Sequence, residues 1–494
     1  MAKKEKIIRP KARRPRGFRD RLGAEVAAER EMLARLSAVY ERWGFDPLET
    51  PAFEYSDALG KFLPDDDRPN QGVFSLMDDD EQWMSLRYDL TAPLARFVAE
   101  NYDALPKPFR RFQVGTVWRN EKPGPGRFRE FTQCDADTVG APAPHADIEC
   151  CAMLAEALEA AGLPRGAALI RINDRNVLTG LLETIGVAGA GDAEKRLGVL
   201  RAMDKLDRLG EEGVRLLLGG GRKDESGDFT RGAGLAEAEI EKVVGFMRAS
   251  RETNAATCAR LADVVGGSAA GAKGVETLSL IAEGLARAGL DESRLRIDLS
   301  VIRGLEYYTG PVFEAEFVSD IRDEKGRPVR MGSIASGGRY DDLVRRFKGV
   351  EIPAVGISVG VSRLLSALQW RRGAEAGAQG PVVVLAFEPD QMSAYQQMAA
   401  ELRAAGLRAE VYLGGAGMKA QMKYADKRGA PVAVICGGDE RARGEVTIKD
   451  LILGAELSKS IDDNAEWREA QPAQFSAPRA GLVEAVKKTL ARRR

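Results

Sequence analysis

The pattern of strands and connections changes along this chain, and that change restricts the fold more than any single motif. Between residues 72 and 89, GVFSLMDDDEQWMSLRYD has two strand-like runs around an acidic turn, and the exit of that hairpin delivers Asp89 and Thr91. RRFQVGTVWRNEKPGPGRFREFTQCDADTVG, residues 110–140, repeats the logic: strand to Arg119, a Gly/Pro loop, then strand from Phe128 onward. Hairpins join antiparallel neighbours. From residue 381 the strand-like runs PVVVLAF, RAEVYL, PVAVICGG and EVTIKDL alternate instead with helical patterns such as QMSAYQQMAAELRAAG. That alternation predicts a mixed, mostly parallel sheet with right-handed crossovers. The expected fold class is therefore a multidomain combination of α+β and α/β parts.

Length agrees, since 494 residues exceed one core and suggest about three domains at roughly 150 residues each. Residues 1–16 are basic and aperiodic, as expected of a mobile arm. A helix is predicted over 21–43, where Val26, Leu33, Leu36, Val39 and Tyr40 recur at helical spacing until Gly44. Residues 174–292 become rich in Ala, Leu, Gly, Arg and Glu at helical spacing, which predicts a helical insertion. Strand signals return from 293 to 370, so 17–173 and 293–370 are expected to form one interrupted domain. Residues 371–380 are the linker, 381–470 the second domain, and 471–494 a tail with a basic helix.

Composition excludes several chemistries. The single histidine, His145, rules out a His-rich metal site. The five cysteines are odd in number and contain no CxxC pair, so structural thiols are expected. A net charge of -1 means that a nucleic-acid partner must be met by local basic patches. No apolar run approaches a membrane span and the N-terminus has no secretory core segment, so a cytoplasmic protein with no membrane partner is expected.

What remains for chemistry is Arg, carboxylate and Tyr. Arg119 and Glu121, two apart at the end of a strand, can share a face, with Phe131 offering a flat surface for stacking. A solvated Arg–Glu pair on a surface hairpin would give the same pattern. In VGISVGVSRLL, residues 355–365, Gly356 and Gly360 permit close backbone approach, and Arg363 opens a helix where an anion is favoured. Tight strand-to-helix packing is the alternative.

Together these segments resemble the class II aminoacyl-tRNA synthetases. GFDPLETP, TVWRNEKPGPGRFREFTQCDAD and VGISVGVSRLL are similar to the three class motifs. RGLEYYTGPVFEAEF and ASGGRYDDLV resemble segments peculiar to the histidyl-tRNA synthetase family, and residues 421–451 resemble its anticodon-binding domain. The resemblance implies an antiparallel-sheet catalytic domain that activates L-histidine with ATP, accompanied by Mg2+, and transfers it to histidine tRNA. It implies a homodimer through the first motif.

By the same resemblance Arg119 holds the α-phosphate and the carboxylate. Glu121 and Phe131 engage adenine, and Arg127 and Arg363 take the outer phosphates. Arg303 stabilises the attack in place of a metal ion. Asp89, Thr91 and Gln133 hold the α-ammonium; Asp137 and Tyr308 read the ring nitrogens; Tyr307 and Tyr340 line the pocket. The motif-two loop has Lys122, Pro123 and Gly124 where bacterial members often have Arg-Pro-Gln, which implies less reliance on the extra 5′ guanosine of histidine tRNA. Two other classes fit parts of the pattern. One is a regulatory paralogue acting on ATP phosphoribosyltransferase, which would lack the anticodon domain; the other is a binding-only sensor of uncharged tRNA.

Overall fold

A computed structural model of the chain describes residues 10–59, 72–124, 128–223, 227–302, 308–318, 332–372, 380–457 and 473–492. The chain divides into a large unit, mainly residues 26–376, and a small one, mainly residues 377–494.

The large unit is built on eight strands: β1 Asp46–Pro47, β2 Phe109–Trp118, β3 Glu130–Val139, β4 Ala168–Asp174, β5 Leu295–Ile297, β6 Pro311–Phe317, β7 Ser333–Arg339 and β8 Ala354–Gly360. They lie in the order β1–β2–β3–β8–β7–β6–β4–β5. The interior pairings are antiparallel, and one parallel pair closes each edge. The hairpin logic of the sequence thus extends across the middle of the sheet.

Alternation along each strand separates two faces. On one, Phe112, Cys134, Ala136, Ile172, Phe313, Val355 and Ile357 join the main apolar core. Helix Gly23–Arg42 contributes Met32, Leu36, Val39 and Tyr40 to this core, and helix His145–Ala160 contributes Cys150, Cys151, Met153 and Leu154. Trp43 ties the two helices by donating from Nε1 to Glu156 Oε2 at 2.7 Å, and Gly44, at φ +79°, ends the first helix. The opposite face carries Arg111 and Gln113 from β2, Gln133, Asp135 and Asp137 from β3, and Ser358 from β8, and the five charged or amide side chains among them are also buried.

Between β4 and β5 the chain is largely helical, as expected. Helices Arg175–Thr184 and Ala269–Arg287, at the two ends of this segment, share the sheet's apolar core. They approach so closely that a Cβ on Gly180 would lie 2.5 Å from Gly271 Cα, and one on Gly274 would lie 2.6 Å from Val177 N. A separate three-stranded sheet, in the order Phe53–Tyr55, Trp83–Leu86, Ser75–Met77, carries the predicted hairpin. Phe53, Tyr55 and Leu76 fall on one face of it and are 41%, 55% and 43% exposed.

The small unit has five strands: β9 Val382–Val384, β10 Ala409–Val411, β11 Val432–Ile435, β12 Glu445–Asp450 and β13 Gln474–Pro478. Their order is β10–β9–β11–β12–β13, with the first three parallel and the last two antiparallel, so the sheet is mixed. Both faces are apolar, with Val382, Val384, Val432 and Val434 in one core and Val383, Leu385, Ala433 and Ile435 in the other. Among the described residues all five cysteines are buried and unpaired, and no helix is long and apolar enough to cross a membrane.

Candidate active site

Cross-strand register brings the polar residues into rows. Arg111, Asp137, Gly356 and Gly338 are successive Cα partners across β2, β3, β8 and β7. The two glycines make this row deep. A Cβ on Gly356 would lie 1.9 Å from Asp137 Oδ1, and one on Gly338 would lie 2.7 Å from the Tyr308 ring. Asp137 and Tyr308 therefore occupy space that side chains on β8 and β7 would fill. Tyr340 donates from its hydroxyl to Asp137 Oδ1, and Arg111 Nη2 lies 2.8 Å from Asp137 Oδ2. Burial raises the Asp137 pKa, while Arg111 and the Tyr340 hydrogen bond oppose that rise. Asp137, Tyr308 and Tyr340 thus lie together on one row of the sheet.

Arg111 also donates to Leu90 O at 2.9 Å, so the same guanidinium fixes the start of helix Thr91–Asn101 against the sheet. At that start Asp89 Oδ1 accepts from Ala92 N at 3.0 Å. Asp89 is buried and its pKa is raised, chiefly by burial. Arg87 holds the preceding segment by donating to Thr116 O at 2.9 Å and Thr50 O at 2.6 Å. Asp89 and Thr91 are therefore delivered to the sheet by a clamped turn.

The other end of the rows is set by Gln133, the Cα partner of Gly115 and Gly360. Strand β2 ends at Trp118, so Arg119 and Glu121 lie just beyond the ladder rather than within it. Arg119 donates from Nε to Tyr88 O at 3.0 Å, and its Cζ sits 5.1 Å from the centre of the Phe131 ring. The Glu121 carbonyl accepts from Arg129 Nε at 2.9 Å. Arg363, on helix Val361–Arg372, is exposed and donates to Ser333 O. An arginine over an aromatic face thus stands at one end and a carboxylate–tyrosine pair at the other. Arg127, Arg303 and Tyr307 lie outside the described residues.

Three residues of this face escape motif reading. Arg111 sits in FRRFQVG and reads as an ordinary strand position. Asp135 sits two before Asp137 on the same face, and that period-two spacing was the available signal. Ser358 accepts from Gln133 Nε2 at 2.5 Å. Burial, then the charge of Asp137, pushes the Asp135 carboxyl up to about 8. Among the described residues no group of three or more His, Cys, Asp or Glu side chains is placed to hold a metal ion.

A family model described as histidyl-tRNA synthetase matches residues 17–364, and one described as anticodon binding domain matches residues 381–470. The histidine–tRNA ligase of Brucella ovis is 57% identical over 489 residues, which are 98% of this chain and 97% of that protein. That of Caulobacter vibrioides is 58% identical over 486 residues, again 98% and 97% of the two chains. The crystal structure of histidyl-tRNA synthetase from Nostoc sp. PCC 7120 superposes with a TM-score of 0.73 at 29% identity, covering 97% of this chain and 100% of that chain. An ATP phosphoribosyltransferase regulatory subunit/histidyl-tRNA synthetase from Bacillus halodurans superposes at TM-score 0.65 and 22% identity over 84% of this chain and 97% of that chain, which shows a shared fold alone. The matches span both units of the chain, which belongs to the histidyl-tRNA synthetase family.

Proposed function

We propose that the chain is a histidine–tRNA ligase: it joins L-histidine to ATP as histidyl-adenylate with release of pyrophosphate, then transfers histidine to the 3′ end of histidine tRNA. The observation that carries this reading is the buried polar face of the large sheet, with Asp137–Tyr340 at one end and Arg119–Phe131 at the other. An amino acid bound along the rows would have its ring at the first end and its carboxylate near the second.

In the first step a histidine carboxylate oxygen bonds to the α-phosphorus while the bond from that phosphorus to the bridging oxygen breaks, and pyrophosphate departs. Negative charge builds on the phosphoryl oxygens. Arg119 meets it from one side and Arg303 from the other, a role assigned to Arg303 by its motif. Mg2+ enters with ATP as part of the substrate, with Arg127 and Arg363 on the outer phosphates. Phe131 stacks on adenine and Glu121 accepts from its amine. Asp89, Thr91 and Gln133 receive the α-ammonium, Asp137 and Tyr308 the ring nitrogens, and Tyr307 and Tyr340 complete the wall. A pocket that pairs both nitrogens rejects apolar amino acids, which would leave buried groups unsatisfied. In the second step a ribose hydroxyl of the terminal adenosine attacks the adenylate carbonyl and AMP leaves.

The exposed apolar face of Phe53, Tyr55 and Leu76, beside the first motif, suits a second copy of the chain. Residues 381–470 suit the anticodon. The reaction is placed in the cytoplasm with its tRNA. Gly124 offers the acceptor end no side chain, so a transcript without the extra 5′ guanosine should be charged at a comparable rate. The decisive experiment is ATP–pyrophosphate exchange run against each amino acid in turn. Exchange with histidine alone is expected, and exchange with none or with another would sink the reading.

A further inference from the structure

Tyr308 and Tyr340, the two tyrosines beside Asp137, both stand outside the strands that carry the site. Strand β6 starts at Pro311, β7 stops at Arg339, and the last pair between them is Val312 with Gly338. Regular strand pairing therefore does not hold the two rings in place. Tyr308 precedes Thr309, and Tyr340 lies between Arg339 and Asp341. Thr309 N donates to Arg339 O at 2.7 Å, and Tyr340 N donates to Ala354 O at 2.7 Å. Thr309 Oγ1 donates to Asp341 Oδ2 at 3.1 Å and accepts from Asp341 N at 3.1 Å. Asp341 Oδ1 in turn accepts from Ala354 N at 3.0 Å. The residues flanking the two tyrosines are thus bonded to each other and to the start of β8.

Behind these bonds is a charge on the apolar side of the sheet. Arg339 is the Cα partner of Val355, a core residue, and is only 3% exposed. Its Nε and Nη2 donate to Asp147 Oδ1 and Oδ2 at 3.1 and 2.5 Å, and its Nη1 donates to Ala141 O and Asp341 Oδ1, both at 3.1 Å. A Cβ on Gly310 would lie 3.1 Å from Arg339 Cδ, so the stem of Arg339 also packs against the segment that follows Tyr308. One guanidinium therefore joins helix His145–Ala160, the loop after β3 and the ends of β6 and β7. A buried ion pair seldom adds stability over well-packed apolar side chains. What a planar fork supplies, and a lysine does not, is a fixed set of angles to several acceptors at once. We propose that Arg339 and Asp341, acting through Thr309, are positioning residues for histidine: they set Tyr308 and Tyr340 against one another and against Asp137. Arg119, at the other end of the site, is held separately through Tyr88 O, so loosening the two tyrosines leaves the nucleotide end in place.

The inference rests on the histidine-activating reading. Its test uses the full-length protein and Thr309→Val, which keeps the shape and removes the hydroxyl, with Thr309→Ser as the rescue and Arg339→Lys as the second probe. In pyrophosphate exchange Thr309→Val and Arg339→Lys should each raise the histidine KM about tenfold and leave the ATP KM within about twofold, the effect of losing a hydrogen bond or two at one end of the site. Thr309→Ser should restore the histidine KM. A KM is insensitive to the active fraction, so partial misfolding lowers kcat without imitating this split. If Arg339→Lys does not fold, the two Thr309 variants still decide. An unchanged histidine KM in Thr309→Val, an equal rise in the ATP KM, or failure of serine to restore it overturns the assignment. Absence of histidine-dependent exchange in the unaltered protein would instead remove the reading beneath it.

Discussion

The two large sheets of this molecule bury their faces differently. In the small unit both faces are apolar: Val384 and Val434 point into one core, and Val383 and Ala433 into the other. In the large unit one face is apolar and the other buries Arg111, Gln113, Gln133, Asp135 and Asp137. The first arrangement is what packing alone favours, since each buried aliphatic side chain contributes roughly 1.5–3 kcal/mol. The second includes open acceptors and like charges within a buried layer. On the proposed function such a layer receives a ligand, whereas the sheet of the small unit, apolar on both faces, leaves its edges, helices and loops to meet a partner.

That contrast can be broken at several points. On the proposed mechanism Arg119→Ala removes a preorganised cation at the reacting end and should lower histidine-dependent exchange by about 10²–10³-fold, with Arg303→Ala at least as severe. Near-normal exchange in either variant would remove that residue from the chemistry. Leu402→Ala, in the apolar core of the small unit, should cost that unit about 2–5 kcal/mol in denaturant unfolding. The same variant should leave the histidine KM unchanged, and a shifted KM would show that the two sheets do not divide their work as described.

Smaller effects test the surroundings. Gly17 accepts at its carbonyl from Arg129 N at 2.9 Å, Phe18 packs on Phe74 at 5.8 Å, and Arg19 lies 4.3 Å over the Phe128 ring. The exposed Arg13, Arg14 and Arg16 thus emerge beside the motif-two segment. Replacing all three with Glu should weaken tRNA binding and flatten its salt dependence by roughly 0.7–0.9 per lost phosphate contact. Exchange should be untouched, and an unchanged salt slope would leave the arm as solvated chain.

The smallest expected effect is on stability against pH. Asp135 has a folded value of about 8, against about 3.9 for an exposed aspartate. The native state therefore holds an extra proton between those values, and the contribution of Asp135 makes stability fall as pH rises through that window. Asp89, Asp137 and Arg111 also face this group and set the rest of the curve. Asp135→Asn should flatten the melting temperature between pH 5 and pH 8; parallel curves for the two proteins would refute the assignment of that slope.

Much of the site was legible because its residues lie in segments with distinctive neighbours. Tyr340 stands in GGRYD, Arg119 in VWRNE, and Gly356 in VGISVG, and local context sufficed to nominate them as candidates. The hairpin pattern likewise indicated an antiparallel sheet, because turn chemistry and alternation are local properties. Arg111 was not legible. Its importance comes from lying opposite Asp137 in the ladder and beneath Leu90, relations set by register between strands and by the docking of a helix. Asp135 was half legible, since its face followed from the spacing of Gln133 and Asp137 while its raised pKa did not. The reason for two glycines in SGG was hidden for the same cause: Gly337 would place a Cβ 2.2 Å from Gly356 O, and Gly338 would place one against Tyr308.

Those glycines also limit how the protein can change. A methyl group at Gly356 or Gly338 collides with Asp137 or with the Tyr308 ring, so neither position can accept even alanine without displacing that side chain. Single substitutions cannot add a side chain to this row without moving those two residues. On the proposed function, any drift toward a smaller amino acid must proceed through Tyr308, Tyr340 or the carboxylates beside them, each of which that reading assigns to recognition. Selectivity and evolvability are therefore opposed at this site, and relatives with altered substrates should differ at the walls while retaining both glycines.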